Sequence, residues 1–343
     1  MAKREFRTIS VDGRDVQLRV FTPGAEDGPQ KPAVVMVCGL MWLGGGLLGQ
    51  VGLVFNDVFG YAFARNGVPC VQIHTPSRHI AHTRIQELQA LLLWPLSCMP
   101  LLNLPLLLAD VLMLSITPID VCMLVLVPVL SLLGPLALPV LHLVVRGGQW
   151  LQGTFPAPQP ASHQKEVAAA VSWAESNQEL LGSDGRLVLC GYSSGGQCAS
   201  LFALSPTAPR FHAVVLISGI YGLQTDEWTG IRRWLAPCFN LLYQDILGVS
   251  DKEARRLQSP EVMVQMSREG QDWYVLSAKM EMMGLQPFED IFFNVNPFCT
   301  ALQAKGARVH RVQCGLNHWL LVMNINDFVR PFCAGLLKSS QVG

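Results

Sequence analysis

Seventeen residues constrain the fold of this 343-residue chain more than any others: "RLVLCGYSSGGQCASLF", Arg186 to Phe202. Arg186–Cys190 is a short apolar run of the β type, and Gln197–Phe202 begins a helix-like one. A chain that leaves a strand and enters a helix within so few residues turns sharply. Gly191, Gly195 and Gly196 suit such a turn because they carry no Cβ to clash in it. Ser193 stands at the centre of the resulting G-x-S-x-G, the pattern in which a tight strand-to-helix elbow exposes a serine hydroxyl at the edge of a sheet. The alternative is a glycine-rich turn with an incidental serine.

The rest of the chain repeats the strand-then-helix rhythm. "FRTISVDGRDVQLRVFTPG" alternates apolar and polar residues about Asp12-Gly13, which predicts an N-terminal β-hairpin. Lys31–Gly39, Val68–Thr75, Phe211–Leu223, Asp272–Met280 and Ala307–Cys314 read as buried strands. Helical stretches are expected over Phe55–Gly67, over His163–Gly182, and on both sides of the last strand. Strands alternating with helices imply an α/β fold with a mostly parallel central sheet covered on both faces. The domain reading is one α/β domain in two parts, 1–84 and 151–343, interrupted by an insert over 85–150.

That insert is unlike the rest. Between Leu91 and Val145, 39 of 55 residues are apolar and only Asp110 and Asp120 carry formal charge. Such a segment offers almost no polar outer face for a soluble cap. Its seven prolines break any long straight helix. Fifty-five residues suffice for two crossings of about 20 residues or for a re-entrant hairpin, either of which returns the chain to the side it left. Spans near Leu91–Ala109 and Val121–Val145 are expected. Arg78, Arg84 and Arg146 flank the outer ends, which places the α/β domain on the cytoplasmic side. The expectation is an apolar helical membrane hairpin, with the bilayer as a partner.

Charge narrows the function classes. Lys plus Arg and Asp plus Glu are both 25, so the net charge is zero and nothing marks a nucleic-acid surface. Ten cysteines are scattered without a C-x-x-C pair, several of them inside apolar runs. They read as free thiols in a reducing compartment rather than as a disulfide framework. The charged start "MAKREFRTIS" lacks the apolar core of a signal peptide. Gly44, Gly46 and Gly49 spell G-x-G-x-x-G after a strand, but the following strand, "VQIHTPSRH", ends without the carboxylate that a dinucleotide site requires. No cofactor or metal is implied.

A serine hydroxyl becomes a nucleophile when a base takes its proton. Groups that act together in this architecture gather at the carboxyl ends of the strands. His318, after the last strand in "CGLNHWLLV", is therefore the expected base. His74 competes at the end of an earlier strand, while His310 lies mid-strand and His212 at a strand's start. The orienting acid belongs after the strand Asp272–Met280. Glu281 is the first carboxylate there and Asp290 the rival. Two kinds of oxyanion donor are expected: the backbone N–H of Ser194, and N–H groups from the loop carrying Gly39, Leu40 and Met41.

These motifs together resemble the α/β-hydrolase superfamily, in the carboxylesterase branch that includes the isoprenylcysteine methylesterase-like enzymes. The family's H-G-G-x-W-x-x-G falls on Cys38, Gly39, Leu40, Met41, Trp42 and Gly45. Its G-x-S-x-G-G falls on Gly191–Gly196. Its S-G-x-Y-D-L falls on Ser218, Gly219, Tyr221, Gly222 and Leu223, its late Ser-Pro on Ser259-Pro260, and its H-G-x-x-D on Ser277, Ala278 and Glu281, with the final His at His318. Cys38 and Leu40 stand where the family has His and Gly, Glu281 where Asp is commoner, and Gly222 where the family has Asp. The resemblance covers nearly everything outside residues 85–150. It implies a serine esterase working through an acyl-enzyme, and an insert beside the site suits a lipophilic ester substrate. A catalytically inactive membrane scaffold and an acyltransferase fit the same residues, and the oligomeric state stays open.

Overall fold

A computed structural model of the chain describes residues 2–24, 31–38, 57–74, 161–225, 229, 233, 236, 252–278, 294–314 and 324–339. Eight strands form one sheet: β1 (Lys3–Val11), β2 (Arg14–Thr22), β3 (Lys31–Val37), β4 (Cys70–His74), β5 (Ser183–Tyr192), β6 (Ala213–Ile217), β7 (Asp272–Ala278) and β8 (Arg308–Cys314). Their order across the sheet is β1-β2-β4-β3-β5-β6-β7-β8. The β1–β2 and β2–β4 pairings are antiparallel and every pairing from β4 to β8 is parallel.

The expected hairpin is present, with Val11 opposite Arg14. Asp12 and Gly13 both have positive φ, 51° and 72°, the combination that matches a two-residue turn to the twist of its strands. Asp57 ties this hairpin to the helical residues 57–65 (α1) by accepting from Arg4 and Arg19, each at 2.6 Å.

The central strands are apolar on both faces because helices cover both. On one face Val35, Leu189 and Leu216 pack with α2 (Ala161–Ser176), α4 (Ser194–Ala203) and α7 (Val295–Ala304). In α2 the buried side chains Val167, Ala170, Val171 and Ala174 recur at helical spacing. On the other face Val34, Met36 and Val188 pack with Phe59 and Phe63 of α1 and with Val329 and Cys333 of α8 (Asn326–Ser339). All seven described cysteines are buried and free, as thiols used as small apolar groups are.

Three elements differ from the sequence reading. The strand expected over Phe211–Leu223 ends at Ile217, because Ser218 takes φ 48° and turns the backbone out of the sheet. The helix expected over His163–Gly182 breaks into α2 and α3 (Gln178–Leu181) at Asn177, whose side-chain amide donates to the Trp173 carbonyl at 2.7 Å. The helix expected over Phe293–Gly306, before the last strand, spans Val295–Ala304, led in by Asn294 at φ 55°. The apolar insert, Leu91–Val145, lies outside the described residues. Among the described residues no helix is long and apolar enough to cross a membrane.

Candidate active site

The elbow is built as the glycines require. Ser193 sits between β5 and α4 at φ 55°, ψ −123°, a backbone conformation that costs a side-chain-bearing residue on the order of 1–3 kcal/mol and that clusters at functional sites. Its surroundings hold it there. The Ser193 N–H donates to the Ile217 carbonyl at 2.9 Å, and the Ser193 carbonyl accepts from the Gly196 N–H at 2.9 Å. A Cβ on Gly191 would lie 2.5 Å from the Gly195 carbonyl oxygen and 2.7 Å from the Ala199 Cβ. One on Gly195 would collide with the Val37 and Cys38 carbonyl oxygens, and one on Gly196 would lie 2.8 Å from the Gly219 Cα. Each glycine of the motif is therefore a close-approach position, and Ser193 itself stays only half-buried.

The expected oxyanion side is bounded by the same packing. Ser194, 4% exposed, is the first residue of α4, where backbone N–H groups have no partner within the helix. Gly195 rests on the backbone of Val37 and Cys38, so the exit of β3, which leads into Gly39, Leu40 and Met41, lies against this helix end. Those three residues lie outside the described residues. Cys38 is buried, and burial above all, with Asp57 adding, pushes its thiol up to about 12. It is a protonated, inert thiol and no rival nucleophile.

Tyr192, Ile217 and Leu276 share one rung of the sheet. One residue further along each segment stand Ser193, Ser218 and Ser277: the Ser193 N–H donates to the Ile217 carbonyl, the Ser218 N–H donates to the Leu276 carbonyl, and Ser277 lies opposite Gln313. Ser218 and Ser277 are 0% and 2% exposed, and among the described residues their hydroxyls meet no hydrogen-bond partner. Ala278 and Cys314 close β7 and β8 on a shared rung. The segments that carry the candidate acids and base thus depart from the edge that carries Ser193. Glu281, Asp290 and His318 lie outside the described residues.

The described histidines stand elsewhere. His74 ends β4, two strands from β5. His310 stacks on Tyr274 within β8, ring centroids 4.5 Å apart. His212 precedes β6 at the opposite end of the sheet, beside Arg186. His163 is buried against Glu166, 3.5 Å away.

The structure adds residues that the sequence reading passed over. The Gln197 side-chain amide, fully buried, donates to the Gln258 carbonyl at 2.8 Å. Ser259 accepts from the Leu223 N–H and donates to the Arg255 carbonyl, both at 2.9 Å. This gives the Ser-Pro pair its structural task of tying the turn after β6 to the junction of α5 (Lys252–Leu257) and α6 (Pro260–Met263). Glu261 accepts from the Asn294 side-chain amide at 3.1 and 2.9 Å. Only the Ser-Pro motif hinted at this layer; the other contacts join residues 33 to 61 apart in the chain.

Compared with family models and with curated protein sequences, the chain finds no match in either. Solved structures do match. Brefeldin A esterase, a bacterial homologue of human hormone-sensitive lipase, superimposes with a TM-score of 0.58 at 14% identity, over 100% of this chain and 78% of that one. The Pyrobaculum calidifontis esterase gives 0.55 at 17% identity, over 99% and 86%. A thermostable esterase from Pseudomonas putida gives 0.55 at 15%, over 98% and 82%. With the strand order and the elbow, these establish that the chain has the α/β-hydrolase fold.

Proposed function

We propose that the protein is a serine hydrolase of carboxylic esters, with Ser193 as nucleophile. His318 takes the Ser193 proton, and Glu281, or its rival Asp290, orients the imidazole and stabilises its cation. The N–H of Ser194 and N–H groups among Gly39, Leu40 and Met41 hold the developing oxyanion. An acyl-enzyme forms with loss of the alcohol, and water then cleaves it. The observation that carries this reading is the backbone of Ser193, a half-buried serine held at φ 55° between a strand and a helix. The structural neighbours named above, all described as esterases, support it.

The same proposal places the enzyme on a membrane through residues 91–145 and gives it a lipophilic ester as substrate. Supporting this are the 39 apolar residues of 55 in that segment and its two formal charges. The test is hydrolysis of short- and long-chain p-nitrophenyl esters by membrane and soluble fractions of cells expressing the full chain or Ser193→Ala. The reading expects activity in the membrane fraction, favouring long acyl chains, and a loss of at least about 1,000-fold in the variant. Ester hydrolysis that survives Ser193→Ala refutes the nucleophile. Activity found only in the soluble fraction refutes the membrane assignment.

A further inference from the structure

We propose that a cleft at the amino-terminal edge of the sheet binds a small soluble oxyanion, a phosphate or carboxylate group held by Arg186, Arg210 and His212. Strands β5 to β8 are parallel, so the residues at their starts gather at the edge opposite the one that carries Ser193. By the rise of a strand, Arg186 and Ser193 are roughly 20 Å apart. The cleft has a volume of about 480 Å³, within the range of small-molecule sites. Its walls are fastened together. Gln271, 6% exposed, donates to the Phe211 carbonyl at 3.0 Å. Arg268 donates to the Pro206 carbonyl at 3.2 Å and to the Ala208 carbonyl. The loop that carries Arg210 and His212 is thereby tied to the turn before β7.

Two carboxylates beside the cleft are already engaged. Asp272 accepts from Arg308 Nε at 2.5 Å and from its Nη2 at 2.7 Å. Asp184 accepts from the Arg186 backbone N–H at 2.9 Å, and from Nε and Nη2 of the same residue at 3.0 and 2.6 Å. Donors are left over. Arg186 Nη1 lies 3.5 Å from His212 Nε2 rather than on a carboxylate. The Arg210 guanidinium lies over Gly270, its Nη2 3.7 Å from where a Cβ there would stand. Among the described residues it makes no hydrogen bond or ion pair. Such planar forks match the two oxygens of a carboxylate or phosphate. Among the described residues lining the cleft, Glu175, exposed near the end of α2, is the one carboxylate left to oppose them. Burial first, and then Arg186, hold His212 below its ordinary 6.5, more than Asp184 and Asp272 raise it. An oxyanion beside it favours the charged imidazole. Binding therefore takes up a proton and, by reciprocity, tightens as pH falls.

The probe is sulfate, which keeps both of its charges from pH 7.5 to 5.5. It is titrated calorimetrically into the full-length protein at an ionic strength fixed with NaCl. Succinate at pH 7.5 is run beside it: tighter sulfate points to a phosphate group as the natural ligand, tighter succinate to a carboxylate. The expected result is a saturable isotherm, weakened about tenfold in Arg210→Gln by the loss of charged hydrogen bonds. Glu175→Gln removes the opposing charge and tightens binding by about twofold. Wild-type protein binds sulfate about fivefold more tightly at pH 5.5 than at 7.5, and His212→Gln abolishes that difference. Heats that do not saturate with either anion, or an isotherm that Arg210→Gln leaves unchanged, overturn the site. A pH difference that survives His212→Gln removes His212 from it. Should Arg210→Gln fail to fold, Glu175→Gln decides, because weaker or unchanged binding there contradicts the proposal.

Discussion

Gly191→Ala gives a sharp test of the elbow. Gly191 lies within β5 with strands on both sides, opposite Val37 of β3 and Leu216 of β6. It is therefore the helix that must yield. The new Cβ would lie 2.5 Å from the Gly195 carbonyl oxygen, 2.7 Å from the Ala199 Cβ and 2.8 Å from the Gly196 Cα. Carbon atoms rest comfortably at about 3.5–4.0 Å, so α4 has to retreat by roughly 1 Å. Overpacking of this kind costs about 1–3 kcal/mol. A protein that begins with about 5 kcal/mol of stability remains more than roughly nine-tenths folded after such a loss. The rate suffers more, because the retreat moves Ser193 and the Ser194 N–H together, and misplacement of that size costs about a hundredfold in kcat/KM. The assay pairs a urea melt with ester hydrolysis at 25 °C. Gly182→Ala is the control: Gly182 has φ 63° with nothing within 4 Å of its Cβ position, so the variant loses about 1–2 kcal/mol to backbone strain alone and keeps its activity. Wild-type turnover in a folded Gly191→Ala protein would refute the reasoning.

Two further outcomes are expected. Gly335 lies inside α8 with nothing within 4 Å of its Cβ position, so Gly335→Ala raises stability by about 1 kcal/mol in a urea melt. His212 titrates below its ordinary 6.5 because burial opposes its charge and Arg186 repels it, more than Asp184 and Asp272 attract it. The unfolded chain then binds the proton more readily, so this contribution is complete above 6.5 and is lost as pH falls from there through the folded-state value. His212→Gln removes that slope from urea midpoints measured between pH 7.5 and 5.

The strands and the elbow were legible in the sequence because each is written locally. Buried parallel strands are unbroken apolar runs, and a strand-to-helix turn of four residues needs its glycines at fixed places. Local reading failed where one residue overrode a run. Ile220 and Leu223 continue the apolar pattern past Ser218, so the apolar run is longer than the strand its backbone allows, and Asn177 breaks a helix whose composition would have carried it on. The supporting layer around the elbow was illegible for another reason. Gln197 with Gln258, Ser259 with Leu223 and Glu261 with Asn294 meet only in the folded chain, and polar residues at such separations carry no periodic signal. Glu261 brings a carboxylate oxygen to 2.7 Å from where a Cβ on Gly222 would lie, a proximity that residues 39 apart in the chain do not announce.

The most direct test of the central claim is labelling of the full-length protein with a fluorophosphonate, followed by peptide mapping of the adduct. The account predicts one phosphonylated residue, Ser193, with labelling absent from Ser193→Ala and blocked by prior incubation with an ester substrate. A folded wild-type protein that takes up no label, or an adduct mapped to another residue, would contradict it.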